Sequence, residues 1–470
     1  MTTEQQLPKG WEKTTLGEIS IVKMGQSPNG KSYNKEKEGY LLIGGASDLG
    51  NIYPSPKQYT NEATKLSKTN DIIICIRATI GRLNLSDKVY CLGRGVAGIE
   101  VNANVEAKFI WYSLMNSEAY LLKNSTGTTF QQVSSPTLKK LPIVYPTNKE
   151  TQQAIVNKIE SLFDEIDEGI GRLKTAAQQI QQYRQSLLKN AFNGELTKEW
   201  RSKHADTLPS ENELLAQIQT AREQHHAQQL ADWQTAVSQW EQNGKEGKKP
   251  SKPKAPTQAV KFEENVADLP RGWLESSLGD TTDVFVGSTP SRKNNEYWDG
   301  DISWVSSGEV NFSNILETKE KITNLGLSNS STNIHPIGTV MLAMIGEGKT
   351  RGQAGILKIE ACHNQNTAAI RVNKKYLLSE YLYYFFMFNY EQTRRIGSGN
   401  NQKALNKTII ENMLFPICSL TEQTQIVAIL ESKLTACDQL AAELAKQLKQ
   451  AELLKQAVLK AAFSGNLLDK

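Results

Sequence analysis

Cysteine is scarce in this chain of 470 residues, and its placement excludes several kinds of protein at once. The five, Cys75, Cys91, Cys362, Cys418 and Cys437, form no CxxC pair and no metal-ligand spacing. Their odd number suits a reducing compartment better than a disulfide framework. Long apolar runs are missing too: the longest, YLYYFFMF at 381–388, falls far short of the ~20 residues a membrane span needs. The polar start has no signal-peptide core, so a cytoplasmic, membrane-free location is expected. Charge of one sign is lacking, since 54 Lys+Arg against 50 Asp+Glu leave a net +4. Any nucleic-acid contact must therefore rest on local clusters rather than on a broad cationic field. Catalytic patterns are absent as well. None of the five histidines (His204, His225, His226, His335, His363) has a Cys or Asp at ligand spacing. There is no GxSxG, no glycine-rich cofactor loop and no Asn-Pro-Pro-aromatic tetrapeptide. The expectation is a chain with no catalytic residue, no metal and no cofactor of its own.

What is present is a duplication. LPKGWEKTTLGE at 7–18 returns as LPRGWLESSLGD at 269–280, and the same offset of 262 carries Gly25 and Pro28 onto Gly287 and Pro290. QQAIVNKIES at 152–161 matches QTQIVAILES at 423–432, and LLKNAFNGEL at 187–196 matches VLKAAFSGNL at 458–467, both at an offset of 271. Two long copies with drifting loops imply two similar domains rather than a solenoid of short repeats.

Each copy begins as mixed α/β. NDIIICIRATIG at 70–81 has a short β-branched run ending at a glycine turn, as buried strands do. KFIWYSLMNSEAYLL at 108–122 has helical spacing, and LKKLPIVYP at 138–146 predicts a closing strand bounded by prolines. The second copy repeats the order with TVMLAMIG, EYLYYFFMFNY and ENMLFPI.

A long helix then follows in each copy. Ile159, Ile166, Leu173, Ile180 and Leu187 fall at heptad spacing, accompanied by Leu162, Gly169, Ala176 and Tyr183. Leu430, Cys437, Leu444, Ala451 and Val458 do the same, joined by Leu440, Leu454 and Ala461. Such spacing argues for two helices that pair as a coiled coil, the alternative being that each packs only on its own domain. Between the copies, 210–240 predicts another helix with Leu230, Trp233, Val237 and Trp240 on one stripe. NGKEGKKPSKPKAPTQ at 243–258 then predicts an exposed linker.

AMIGEGKT at 343–350 resembles a relaxed phosphate-binding loop, but Gly352 and Gly355 follow where such a loop needs a helix start. The first copy has Arg77, Thr79, Gly81 and Arg82 at the matching place without any such loop. Both copies thus place a basic, glycine-containing turn after a strand, which suits phosphate or base contacts. The second copy's candidates there are Lys349, Thr350, Arg351 and Gln353. Polar loops also match: Thr128, Thr129, Gln131 and Gln132 stand opposite Asn400, Asn401, Gln402 and Lys403. Gln and Asn bond adenine bidentately while Arg and Lys bond guanine, so these loops are candidate readers of base edges. Lys23, Gln26 and Ser27, with Arg292 and Lys293, form a third candidate region.

Taken in order, LPxGW, GQSP and VGSTP, GEGKTRGQ, TTFQQVS, EQTQIV and AFNGEL/AFSGNL resemble the DNA-specificity (S) subunit of type I restriction–modification systems, twice over. The resemblance implies α/β target-recognition domains at 1–150 and 266–419. It further implies helical regions at 151–204 and 420–470 forming an antiparallel coiled coil, a helix plus Lys/Pro-rich linker at 205–265, and a pseudo-twofold repeat. It implies an adaptor that reads an asymmetric bipartite site on double-stranded DNA and docks two methyltransferase subunits, which restriction subunits can join. S-adenosylmethionine, ATP and Mg²⁺ would belong to those partners. Helix pairing and docking are expected at Ile159, Ile166, Leu173, Ile180, Leu187, Phe192, Leu430, Leu444, Val458 and Phe463. The other reading is a coiled-coil protein-binding adaptor without DNA recognition.

Overall fold

The computed structural model describes residues 7–127, 131–245, 249–253, 269–346, 348–396 and 404–468. The chain divides into two units, one of Met1–Ala177 with Ala442–Lys470 and the other of Gln178–Ala441.

In the first unit, Ile72–Cys75 is buried on both faces, which suits an uninterrupted β-branched run. It pairs antiparallel with Leu83–Leu85 on one side and Val96–Val101 on the other, and Ser20–Met24 completes a four-stranded sheet. A second four-stranded sheet holds Tyr33–Asn34, Tyr59–Thr60, Tyr40–Ile43 and Cys91–Leu92. Trp11–Thr15 pairs antiparallel with the closing strand Pro142–Pro146. The helix Ala107–Met115 covers the first sheet with Phe109, Ile110 and Leu114, all fully buried.

The second unit repeats the plan. Val340–Ala343 is the fully buried central strand of a five-stranded sheet with Thr282–Val286, Thr367–Val372, Ala354–Leu357 and Ser313–Ile315. Glu320–Ile322, Trp298–Val305 and Cys362–His363 form a three-stranded sheet. Leu274–Ser277 pairs with Leu414–Ile417, and Ser379–Phe388 is the covering helix. The strands and helices expected around 70–81, 108–122, 138–146 and their second-copy counterparts are all present.

Lys149–Phe192 and Leu420–Phe463 are each a single helix of 44 residues, roughly 66 Å at ~1.5 Å per residue. They run antiparallel. In one unit Lys455 Nζ lies 2.6 Å from Asp167 Oδ1, and in the other Arg184 pairs with Asp438. The repeat offset of 271 carries Asp167 onto Asp438 and Arg184 onto Lys455, so these are one ion pair made twice. Ile159, Leu187, Leu430 and Val458 are buried, and Ile166, Leu173, Ile180, Leu444 and Phe463 are half-buried. Tyr183, Leu440 and Leu454, which the heptad reading joined to the stripe, are exposed, as is Leu453. A two-helix seam is narrower than the apolar face of either helix.

Each helix begins on its own repeat and ends on the other. Leu187, Leu188, Ala191 and Phe192 belong to the core that contains Tyr381 and Phe385, with Phe192 5.2 Å from the Tyr381 ring. Val458, Leu459 and Ala462 belong to the core around Phe109, whose ring lies 5.2 Å from Phe463. Just past each helix a left-handed glycine follows, Gly194 at φ +79° and Gly465 at φ +81°. A Cβ there would stand 2.2 Å from Pro270 Cγ or Pro8 Cγ, the proline of the LPxGW string in the same unit. The start of each helix is fixed by a fully buried glutamine. Gln152 bonds Pro146 O and Glu106 N, and Gln423 bonds Cys418 O and Leu378 N.

The helix Glu211–Gln242 starts on a Ser210/Glu213 capping box and buries Leu214, Ile218 and Ala221 in the second unit's core. Its stripe of Trp233, Val237 and Trp240 is half-buried. The segment 249–253, expected to be exposed linker, folds back on that stripe. Trp233 Nε1 donates to Pro250 O at 3.0 Å, and Lys249 and Lys252 lie over Trp240 and Trp233.

Gly465→Ala forces a Cβ into a left-handed backbone and against Pro8. It should destabilise the first unit by about 1–2 kcal/mol or more, read as an earlier urea midpoint, whereas an unchanged midpoint would contradict this packing.

Candidate nucleic-acid interface

In the first unit the sheet's strands lead three groups of candidate residues to one end. Past the central strand, Ile76 N donates to Gly95 O (3.0 Å) and Val133 N to Ile76 O (2.9 Å). The turn after this strand therefore lies between the turn at 93–95 and the polar loop that returns at 131–133. Arg77 and Gln132 form a β-bridge, which joins two clusters that are 55 positions apart in the sequence. Arg77, Thr79, Gln131 and Gln132 are exposed, and Thr128 and Thr129 lie outside the described residues. From the edge strand, Gln26 N donates to Leu92 O, and Ser27 Oγ accepts from Arg94 N at 3.2 Å.

Two expected cations have other work. Lys23 Nζ is 2.7 Å from Glu100 and 3.7 Å from Asp71 within the sheet. Hydrogen bonds from Lys23 and Lys68 hold Glu100 below the usual carboxylate range. Arg82 donates to the carbonyls of Ala46 (3.2 Å) and Leu49 (2.7 Å), which pins the loop beside the sheet.

The second unit repeats this end with different side chains. Met344 N donates to Asn366 O (2.9 Å) and Leu405 N to Met344 O (3.0 Å), the counterparts of the bonds through Ile76. AMIGEGKT runs from the end of one strand, Val340–Ala343, into its connection with the antiparallel Ala354–Leu357, and among the described residues no helix starts where a phosphate-binding loop requires one. Lys349 is exposed, Thr350 and Gln353 are half-buried, and Arg351 Nη2 donates to Arg394 O at 2.5 Å. Tyr390 donates to Lys349 O (2.5 Å) and accepts from Arg394 (3.1 Å), bracing the turn from the helix Tyr390–Arg395. Asn400, Asn401, Gln402 and Lys403 lie outside the described residues. Arg292 stacks on Trp298, 3.8 Å from the ring centroid, and grips Glu320 through both terminal nitrogens. That bond lowers the Glu320 pKa. A cavity of about 430 Å³ opens beside this pair, lined also by Asn295 and Asp299, and Lys293 is exposed nearby in sequence.

The sequence alone did not single out Arg94, exposed on the turn at 93–95, or Tyr390 and Arg394, which brace the turn at 349–351. Arg94 carried a usable signal, because Gly93 and Gly95 flank it. Such glycines mark close backbone approach.

A polar core pair supports the 287–293 turn. His363 O accepts from Ser288 N (3.1 Å), and a Cβ on Gly287 would meet that oxygen at 2.1 Å. The His363 ring lies 5.0 Å from His335, whose Nδ1 accepts from Arg371 Nε at 3.1 Å. An arginine is always protonated, so His335 must carry its proton on Nε2. Burial, aided by Arg371, lowers both pKa values from 6.5, His335 to about 3 and His363 to about 4. Among the described residues no group of three or more His, Cys, Asp or Glu could hold a metal ion, and no helix is long and apolar enough to cross a membrane.

Two α/β heads, each closed by a helix end from the other repeat and each presenting polar turns at one sheet end, define a class of duplicated two-domain α/β proteins joined by long helices. The chain belongs to the family described as type I restriction modification DNA specificity domain, whose model matches residues 8–174 and 270–450. It is similar to the type I restriction enzyme MjaIX specificity subunit of Methanocaldococcus jannaschii, 30% identical over 173 residues, 36% of this chain and 39% of that protein. The curated relatives that head the comparison are thus matched over about two fifths of their length, 39% in each case. Among solved structures, the HsdS subunit from Thermoanaerobacter tengcongensis superposes with a TM-score of 0.57 at 18% identity, over 99% of this chain and all of that one. A chain from a type I R-M system superposes with a TM-score of 0.69 at 17% identity, over 98% of this chain and 99% of that one.

Because the buried histidines stay neutral while unfolded ones protonate near 6.5, their contribution is complete above that pH. It is lost as pH falls toward about 4 and 3. Urea unfolding should show stability falling by about 1.4 kcal/mol per pH unit for each histidine below pH ~6. A flat profile between pH 7 and 5 would contradict the buried neutral pair.

Proposed function

We propose that this chain is the sequence-specificity subunit of a type I restriction–modification complex, each head reading one half of an asymmetric bipartite site on double-stranded DNA. The observation that carries this is the matched sheet end. The same backbone hydrogen bonds recur in both repeats, while the side chains presented differ. Equal frames with unequal side chains suit two different half-sites, and phosphate contacts would fix register while base contacts specify.

The long helices would set the spacing of the half-sites and dock two methyltransferase subunits. The seam residues pair the helices, and the exposed Tyr183, Leu440, Leu453 and Leu454 are apolar side chains left for a partner. The chain itself is non-catalytic and needs no cofactor. Adenine-N6 methylation with S-adenosylmethionine, and ATP- and Mg²⁺-dependent cleavage by restriction subunits, belong to the partners in the cytoplasm. The target adenine must leave the stack to be modified, which calls for an enzyme pocket this chain lacks an evident motif for.

Co-expression with a type I methyltransferase subunit, followed by single-molecule sequencing of host DNA, should show one bipartite, asymmetric N6-methyladenine motif. A palindromic or continuous motif would sink this reading. Lys349→Ala should weaken DNA binding nearly uniformly across sequences and lower the salt slope by about 1, as expected for loss of one phosphate contact. Unchanged affinity at moderate salt would remove this turn from the interface.

A further inference from the structure

The hydrogen bonds that pin the turn at 93–95 recur at 364–366. Gly93 N donates to Ile43 O (2.8 Å) and Asn364 N to Val305 O (3.0 Å); Ile76 N donates to Gly95 O and Met344 N to Asn366 O. Arg94 and Gln365 therefore occupy the same place in the two heads, and the repeat offset of 271 agrees. Both are exposed at the sheet end where the other polar turns gather.

The frame under Arg94 has almost no slack. A Cβ on Gly93 would stand 2.7 Å from Ile43 O, one on Gly95 would stand 2.2 Å from Gly44 O, and one on Gly25 would stand 2.1 Å from Gly93 O. Ser27 Oγ accepts the Arg94 amide from the neighbouring turn. Among the described residues, the Arg94 side chain has no hydrogen-bond or ion-pair partner. Lys23 and Arg82 are spent on carboxylates and carbonyls. A fork of donors on a rigid turn is suited to a fixed acceptor pair, and guanine offers one in O6 and N7. At the equivalent place Gln365 Oε1 accepts from Thr289 Oγ1 at 2.5 Å, which orients its amide. An oriented amide matches the donor and acceptor of adenine.

We infer that this turn is where each head selects a base, with Arg94 bonding a guanine in one half-site and Gln365 an adenine in the other. The inference rests on the DNA-reading function proposed above. The test uses the full chain co-expressed with its methyltransferase subunits, and reads the N6-methyladenine motif of the wild type, Arg94→Gln and Arg94→Ala. The wild type should require guanine at a position in one half. Arg94→Gln and Arg94→Ala should each lower preference for that guanine about tenfold or more, leaving the other half and the spacing unchanged. Both variants should melt with the wild type, because the side chain holds no structural bond. An unchanged motif would overturn the inference while the DNA-reading function stands. So would methylation lowered evenly at an unchanged motif, the signature of a phosphate contact. No bipartite motif from the wild-type complex would overturn both.

Discussion

A phenylalanine, a left-handed glycine and a proline meet once in each unit, and the remaining architecture follows from that contact. Phe192 enters the core that holds Tyr381 while Gly194 lies against Pro270; Phe463 enters the core that holds Phe109 while Gly465 lies against Pro8. Each head thus requires a helix end from the other repeat to complete its apolar core. A helix that starts on one repeat, held by Gln152 or Gln423, and ends on the other must run antiparallel to its counterpart. The twice-made ion pair, Asp167 with Lys455 and Asp438 with Arg184, is a consequence of that direction rather than its cause. Exposed pairs of this kind contribute only ~0.2–1 kcal/mol, whereas burying one aromatic side chain contributes ~1.5–3 kcal/mol.

With the heads fixed by their cores, the sheet end is free to vary. Backbone bonds, not side chains, return the polar loops to the central strand at Ile76 and Met344. Glycines remove side chains where turns pack against each other, as at Gly25, Gly93 and Gly95. The second head keeps one such glycine, Gly287 against His363 O, and buries two histidines there, held neutral by burial and by Arg371. The frame therefore tolerates quite different chemistry beneath the same turns.

The strands, covering helices and long helices were legible because buried β-branched runs and heptads leave strong periodic signals. The exchange of helix ends was not. AFNGEL and AFSGNL would fit either repeat's core by hydrophobic pattern alone, so no periodicity distinguishes staying from crossing. The candidate site was legible in its residue types but not in its bonding. Residue type located the clusters at Arg77 and Gln132, which the fold joins, but could not tell that Lys23 and Arg82 are bound to Glu100 and to loop carbonyls. Arg94 lies in a turn too short to show any period, so only its flanking glycines mark it. Heptad spacing overstates the seam, because it cannot say that a two-helix pair leaves Tyr183, Leu440 and Leu454 outside.

The two helix starts differ at one buried charge, Glu422. Its carboxylate is buried and accepts from Arg201 (2.6 Å), Thr197 (2.7 Å) and Trp273 Nε1 (3.0 Å), so the segment just beyond the first long helix is tied to the second repeat's LPxGW string. The repeat offset places Thr151, not a carboxylate, at the equivalent point of the first copy. Seating this segment on Trp11 instead would leave Arg201 facing a hydroxyl and Glu422 buried without its cation. Breaking a buried pair in that way costs about 3–5 kcal/mol, even though an intact pair adds little over an apolar substitute. The ion pair therefore adds little to how firmly the unit is folded, while a mismatch at this position costs far more than the intact pair gains.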